Sequence, residues 1–102
     1  MRNWIKLYGG FVYIMSNKNR TTLYVGVSSD LISRVAQHKE KFYPKSFSAK
    51  YNCDQLVYYF FFSTIEEAIA REKQLKAGNR SSKIKLVEGL NPEWKDLYSE
   101  LL

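Results

Sequence analysis

Phe11-Val12-Tyr13-Ile14-Met15, the turn-rich Ser16-Asn17-Lys18-Asn19-Arg20, and then the run Thr21 to Val27 form the stretch that decides the fold. Both arms are dense in β-branched and aromatic residues, which suit a pleated surface, and the polar residues between them are turn formers. The stretch therefore reads as an antiparallel hairpin. An even-length loop centred on Lys18-Asn19 would set Tyr13 opposite Tyr24, with two phenols side by side on one face. Tyr24 shares that face with Gly26, whose missing side chain signals a bulge or the close approach of another backbone or a ligand.

Beyond the hairpin, Ser28-Ser29-Asp30 is a cluster of capping residues, and Leu31, Ile32, Val35 and Ala36 recur at helical spacing as far as about Lys39. Residues 40–53 are basic and aromatic, contain Pro44, and read as a loop holding a short helical turn. Gln55 to Phe62 is nearly continuous in apolar residues, the pattern of a third strand covered on both faces. Thr64 caps a helix, with Glu67 at capping-box distance, and Gly78 stops it after Ala77. Ser81-Ser82 opens another helix ending near Gly89, and Asn91-Pro92-Glu93 begins a last one through Trp94, Leu97, Tyr98 and Leu101. The order is that of an α+β domain, a small sheet with helices packed against it, its core at about 10–78 and C-terminal helices at about 81–102.

Length and composition agree with one such domain. The chain has 102 residues and is 45% hydrophobic and 16% aromatic, too apolar for a disordered protein and too short for two domains. Its longest apolar run, Leu56 to Phe62, cannot cross a bilayer, and Met1-Arg2-Asn3-Trp4 lacks the apolar stretch of a signal peptide, so a cytoplasmic location without membrane contact is expected. One cysteine, Cys53, and one histidine, His38, exclude an internal disulfide and a structural zinc site. The net charge of +6 is unevenly spread: residues 1–50 hold nine Lys or Arg against two acids, residues 51–102 seven against eight. A positive field gathered in one half suits a polyanion, although simple solubility would account for it as well.

Two helices carry polar residues on or beside apolar stripes. On the Thr64–Ala77 helix the stripe Ile65, Ala68, Ile69 and Leu75 continues through Glu72, a carboxylate that needs a cation or strong donors if buried, or else sits at the stripe's edge and reaches water. On the first helix Arg34 and His38, four apart on one face, stand beside the inward stripe of Leu31 and Val35. They could present two phosphate-binding groups together, or an arginine with a buried stem beside a satisfied histidine.

Phe11-Val12-Tyr13 followed after ten residues by Tyr24-Val25-Gly26 resembles the paired tripeptides that name the GIY-YIG endonuclease superfamily. Phe11 and Val12 depart from the first tripeptide's leading Gly and Ile, as they commonly do in small single-domain members. The resemblance continues through Asp30-Leu31, Arg34-Val35, His38-Lys39, the helix from Glu67-Ala68 to Glu72-Lys73-Gln74-Leu75-Lys76, and Asn91-Pro92-Glu93-Trp94, and so covers nearly the whole chain. It implies a three-stranded antiparallel sheet flanked by helices and a divalent-metal-dependent phosphodiesterase site on one side of it.

By position, the resemblance makes Tyr13, Tyr24, Arg34, His38 and Glu72 the catalytic residues. Glu72 is the ligand of a single Mg²⁺ or Mn²⁺, Arg34 the phosphate donor, and Tyr13 the favoured base, with Tyr24 orienting water or phosphate and the reverse assignment left open. Asn91 resembles an asparagine near the site in some branches, and reads equally as the cap of the final helix. Some relatives carry a lysine where Val27 stands here. Lys39, Lys41, Lys45 and Lys50 are expected to touch a nucleic-acid backbone, with Phe42, Tyr43, Phe47 and Tyr51 stacking on bases or serving the core, the core being favoured for Phe47. The expected substrate is DNA, structured or branched as in repair or recombination, though these residues do not separate DNA from RNA. Target choice would come from DNA shape, a homodimer or a partner protein. The competing reading is a nucleic-acid-binding module without catalysis, which would have no need of a lone acid facing phosphate.

Overall fold

The computed structural model describes residues 9–102; the reading of Met1–Trp4 lies outside the described residues. Three strands, β1 (Gly10–Ser16), β2 (Leu23–Ser28) and β3 (Gln55–Phe62), form one antiparallel sheet in the order β2-β1-β3. Helices α1 (Leu31–Glu40) and the short α2 (Phe47–Lys50) precede β3, and α3 (Ile65–Ala77) and α4 (Arg80–Leu90) follow it. A 3-10 helix, Leu97–Leu101, ends the chain. Among the described residues no helix is long and apolar enough to cross a membrane.

β1 is the central strand and is buried on both faces, because its alternating side chains feed two cores. Val12 and Ile14 pack with Val25, Val57, Ala68, Leu75, Val87 and Trp94 in the layer of α3 and α4. Tyr13 and Met15 pack with Leu31, Val35, Cys53, Leu56 and Leu97 in the layer of α1 and the C-terminal 3-10 helix. β3, expected to be covered on both faces, gives Val57 to the first core and Leu56 to the second, although it lies at a sheet edge and Phe60 on it remains 53% exposed.

The hairpin register differs from the expected one by two residues. Tyr13 pairs with Gly26, and Tyr24 pairs with Met15, because the loop is longer than four residues and closes at Ser16↔Leu23. Asn17 holds it open: its side-chain oxygen accepts from the backbone N–H of Thr21 at 2.9 Å and of Thr22 at 3.0 Å, while Arg20 takes a left-handed conformation with φ of 60°. A shift of two keeps every side chain on its expected face, so both tyrosines still share one face, now as diagonal neighbours.

Local capping sets the helices. Asp30 accepts from the N–H of Ser33 to start α1, and Thr64 from Glu67 to start α3. α4 is capped by Asn79, two residues before the expected Ser81-Ser82 opening, and Asn79 accepts from Ser82 N–H at 2.8 Å. The expected helix at Asn91-Pro92-Glu93 does not form. Trp94 adopts a φ of 56°, which breaks any helix there, and the later 3-10 turn is capped by Asp96.

Candidate active site

The site is built around the hydroxyl of Tyr13, which has no exposed surface. Its ring lies over Gly26: a β-carbon at that position would come within 2.4 Å of Tyr13 Cζ and Oη, so the glycine is the only residue that leaves the ring its place. The close approach signalled by Gly26 is thus that of the cross-strand phenol. Tyr13 also faces Tyr24, the two ring centroids being 6.4 Å apart.

From α1 the i, i+4 pair Arg34 and His38 reaches the same phenol. His38 Nε2 lies 2.8 Å from the Tyr13 hydroxyl, and His38 Nδ1 lies 2.8 Å from Ser48 Oγ on α2. A neutral imidazole donates from one nitrogen and accepts at the other, and a hydroxyl partner at each end accommodates that arrangement. Burial, with the Arg34 charge second, lowers the His38 pKa to about 4, which keeps the ring neutral. Ser48, only 3% exposed, is a member of this cluster that the sequence reading missed. Nothing in the local sequence marks it, since its partner lies ten residues away on another element.

Burial also pushes the Tyr13 phenol above its ordinary range, and the neighbouring Tyr24 adds to this. The positive charge of Arg34 opposes both, while Glu72 raises the value further. Tyr24 on β2, Arg34 on α1 and Glu72 on α3 thus all lie near enough to the Tyr13 hydroxyl for their charges to bear on it. Glu72 is 16% exposed in its side chain and pairs with Lys76 one turn on, Oε2 to Nζ at 3.1 Å, and Lys76 Nζ stands 6.0 Å from the Tyr24 ring centroid. The stripe edge is the better description of Glu72, because Ala68 and Leu75 on α3 are buried while Ile69, expected on the stripe, is exposed. Its carboxylate is already aimed at a cation. Among the described residues no group of three or more His, Cys, Asp or Glu could hold a metal ion.

Asn91, by contrast, is spent on backbone. Its amide nitrogen donates to the carbonyls of Val57 at 3.2 Å and Lys95 at 2.7 Å, and its oxygen accepts from Lys95 N–H at 3.0 Å. It closes α4 at the C-terminal end rather than capping a following helix. The best-formed concavity, about 300 Å³ beside Asn91, Lys95 and Leu97, includes none of the clustered residues around Tyr13. Of its polar lining, Asn91 is engaged in holding the C-terminal turn, and Glu93 and Lys95 pair with one another in solvent.

The basic residues divide. Lys39 forms an ion pair with Asp96 and donates to Asp54 O at 2.9 Å, which ties α1 to the C-terminal segment and neutralises a charge expected to face nucleic acid. Lys41, at the left-handed C-cap of α1, donates to Asn52 Oδ1 at 2.6 Å. Lys45 and Lys50 are exposed on the segment around α2. Phe47, expected in the core, is 50% exposed and stacks against Tyr24 with centroids 6.4 Å apart and planes 27° apart.

A small antiparallel sheet with two tyrosines on adjacent strands, an arginine on the next helix and an acid on the helix after β3 defines a class, and the chain belongs to it: residues 9–85 match the model of the GIY-YIG catalytic domain. Nuclease activity is the general property of that family. Among its relatives are UPF0213 proteins of Pediococcus pentosaceus, 35% identical over 88 residues (82% of this chain, 87% of that one), and of Staphylococcus haemolyticus, 33% identical over 82 residues (76% and 93%). The fold is also that of the solution NMR structure of a UPF0213 protein from Bacillus halodurans, with a TM-score of 0.55 at 24% identity, covering 86% of this chain and 92% of that one.

Proposed function

We propose that this chain is a divalent-metal-dependent endonuclease that hydrolyses phosphodiester bonds in DNA, acting on structured or branched DNA of the kind met in repair and recombination. What supports the reading is the grouping about the buried Tyr13 of His38, hydrogen-bonded to its hydroxyl, of Tyr24 against its ring, and of Arg34 and Glu72 within electrostatic reach. A module that only bound nucleic acid would present cations and would have no use for a carboxylate beside the phosphate site.

The two phenols divide the work by exposure. A general base must touch the water it activates. Tyr13 is sealed from solvent and carries a phenol that burial keeps protonated, whereas Tyr24 is only part-buried. Tyr24 is therefore assigned as the group that takes the proton from the attacking water. Tyr13 is a positioning residue that fixes His38 and, through it, the face of α1 from which Arg34 extends. Arg34 donates its planar fork to the non-bridging phosphate oxygens, an interaction that strengthens as charge concentrates in the transition state. Keeping His38 neutral spares the site a second cation pressed against Arg34.

Glu72, whose carboxylate pairs with Lys76, would hold one Mg²⁺ or Mn²⁺ through a hard carboxylate oxygen, the donor such ions prefer. When bound, the ion supplies Lewis-acid stabilisation of charge on the phosphate and leaving oxygen.

The test is a cleavage assay on a panel of flap, nicked, branched, single-stranded and duplex DNAs, with matched RNAs, in Mg²⁺, Mn²⁺ or chelator. Metal-dependent cutting of at least one structured DNA, abolished by chelator, is expected. Tight binding across the panel with no cutting in either metal would hand the assignment to a non-catalytic binding module.

A further inference from the structure

We propose that Phe47 and Tyr51 form a stacking platform for an unpaired nucleobase next to the scissile phosphate, so that the substrate strand must be single-stranded or splayed at the cut. The proposal rests on the endonuclease reading for the location of the phosphate, and adds to it the state of the base beside it.

The observation is a row of rings that runs out of the core into solvent. It starts at Tyr13, passes Tyr24 at 6.4 Å, continues to Phe47 at 6.4 Å and ends at Tyr51, 4.7 Å beyond. Exposure rises along it from none at Tyr13 to 50% at Phe47 and 48% at Tyr51. Phe42 and Tyr43 are also exposed and pack edge to face on one another nearby in sequence. Four large rings left in water within ten residues are costly in a chain that buries Val12 to Met15 completely, and an exposed apolar patch of this kind marks a binding surface.

Charge selects the occupant. The segment from Lys41 to Cys53 holds Lys41, Lys45 and Lys50 and no acid, so its aromatic faces are framed by cations. Rings interleaved with lysines meet both halves of a nucleotide, the π-face of the base and the phosphate beside it. A protein partner would equally bury the rings but gives no reason for an all-basic frame.

Geometry then selects the state of the base. In continuous duplex both faces of every base are covered by neighbours, so an exposed ring can stack only on a base at an end, in a single strand, or turned out of the helix. Phe47 is in contact with Tyr24, the residue assigned to meet the attacking water, so the base it captures belongs to the nucleotide next to the reacting phosphate.

The experiment measures binding in the Glu72→Gln background, where cutting is suppressed. A short single strand and a flap carrying 2-aminopurine are compared with the matched duplex, across a salt series. Phe47→Ala and Phe47→Leu are expected to weaken single-strand and flap binding about 5- to 150-fold, the worth of one base–aromatic stack, and to abolish the stacking-induced quench. Phe47→Tyr is expected to retain both, and duplex binding to change by less than about twofold. The salt slope should be unaltered by the Phe47 variants but fall by about 0.7 for each of Lys45→Gln and Lys50→Gln on single strands. Because Phe47 is half exposed, these variants keep the fold, which a thermal melt verifies. Unchanged single-strand affinity in Phe47→Ala, or equal losses on single strand and duplex, would overturn the platform. Cutting is scored separately in the Glu72-intact protein. Stacking without any cutting removes the nuclease reading and leaves the platform standing; cutting with no dependence on Phe47 does the opposite.

Discussion

Replacing Gly26 by alanine puts a methyl group 2.4 Å from both Cζ and Oη of Tyr13 and 2.9 Å from Cε1. Ordinary contact begins near 3.4 Å, so the ring has to retreat by about 1 Å. It has nowhere to go. Tyr13 has no exposed surface, its hydroxyl is 2.8 Å from His38, and Tyr24 covers its flank. Overpacking of a filled site costs about 1–3 kcal/mol, which for a domain of this length lowers the melting temperature by roughly 4–8 °C per kcal/mol. A displacement of about 1 Å in the group that fixes His38 and the Arg34 face costs on the order of a hundredfold in single-turnover cleavage. Gly89→Ala is the internal control, because a methyl there meets nothing within 4 Å and sits in helix α4, where alanine is favoured by about 0.5–1 kcal/mol. Thermal melts and single-turnover rates of the two variants should therefore move in opposite directions in stability, with only Gly26→Ala losing activity. A Gly26→Ala protein that melts within about 1 °C of wild type and cuts at full rate would refute the packing of Tyr13 on Gly26 as the basis of the site.

The His38 pKa, lowered to about 4 in the fold against about 6.5 unfolded, makes stability pH-dependent in one direction. Its full contribution is present above about pH 6.5; as pH falls towards 4 the unfolded chain takes up a proton the folded one refuses. Urea titrations should register a loss of about 1–3 kcal/mol over that window, absent in His38→Asn. Ser48→Ala removes the partner of His38 Nδ1, and should lower cleavage and shift its acid limb while Ser48→Thr restores both. Asp96→Ala should cost about 2–4 kcal/mol in urea denaturation, more than Lys39→Ala, since Asp96 also accepts from the N–H groups of Leu56 and Tyr98 at 3.1 Å each.

The elements that the sequence made legible are those fixed locally. Asp30 and Thr64 cap their helices with backbone groups three residues away, and a reader of the chain sees both partners at once. Glu72 stood out because a carboxylate beside Ala68 and Leu75 at helical spacing is energetically odd without a cation. What was not legible depends on distant partners. The hairpin register turns on the side chain of Asn17 bonding two amides across the loop, which strand propensity does not reveal. Lys39 looked like a phosphate contact because Asp96, its partner, lies 57 residues on. Phe47 was expected in the core, and it is the placement of α2 that leaves it half in solvent. The same placement delivers Ser48 to His38. At Asn91-Pro92-Glu93 a capping residue, a proline and an acid mimic a helix start, but the left-handed backbone of Trp94 ends the resemblance.

The central claim is that the part-buried phenol of Tyr24 and the carboxylate on α3 act on one phosphate. Rapid-quench cleavage of a flap substrate in Mg²⁺, run beside equilibrium binding for wild type, Tyr24→Phe and Glu72→Gln, tests it most directly. Both variants should bind within about threefold of wild type and cut at least a thousandfold more slowly. Either variant cutting at the wild-type rate would contradict the account.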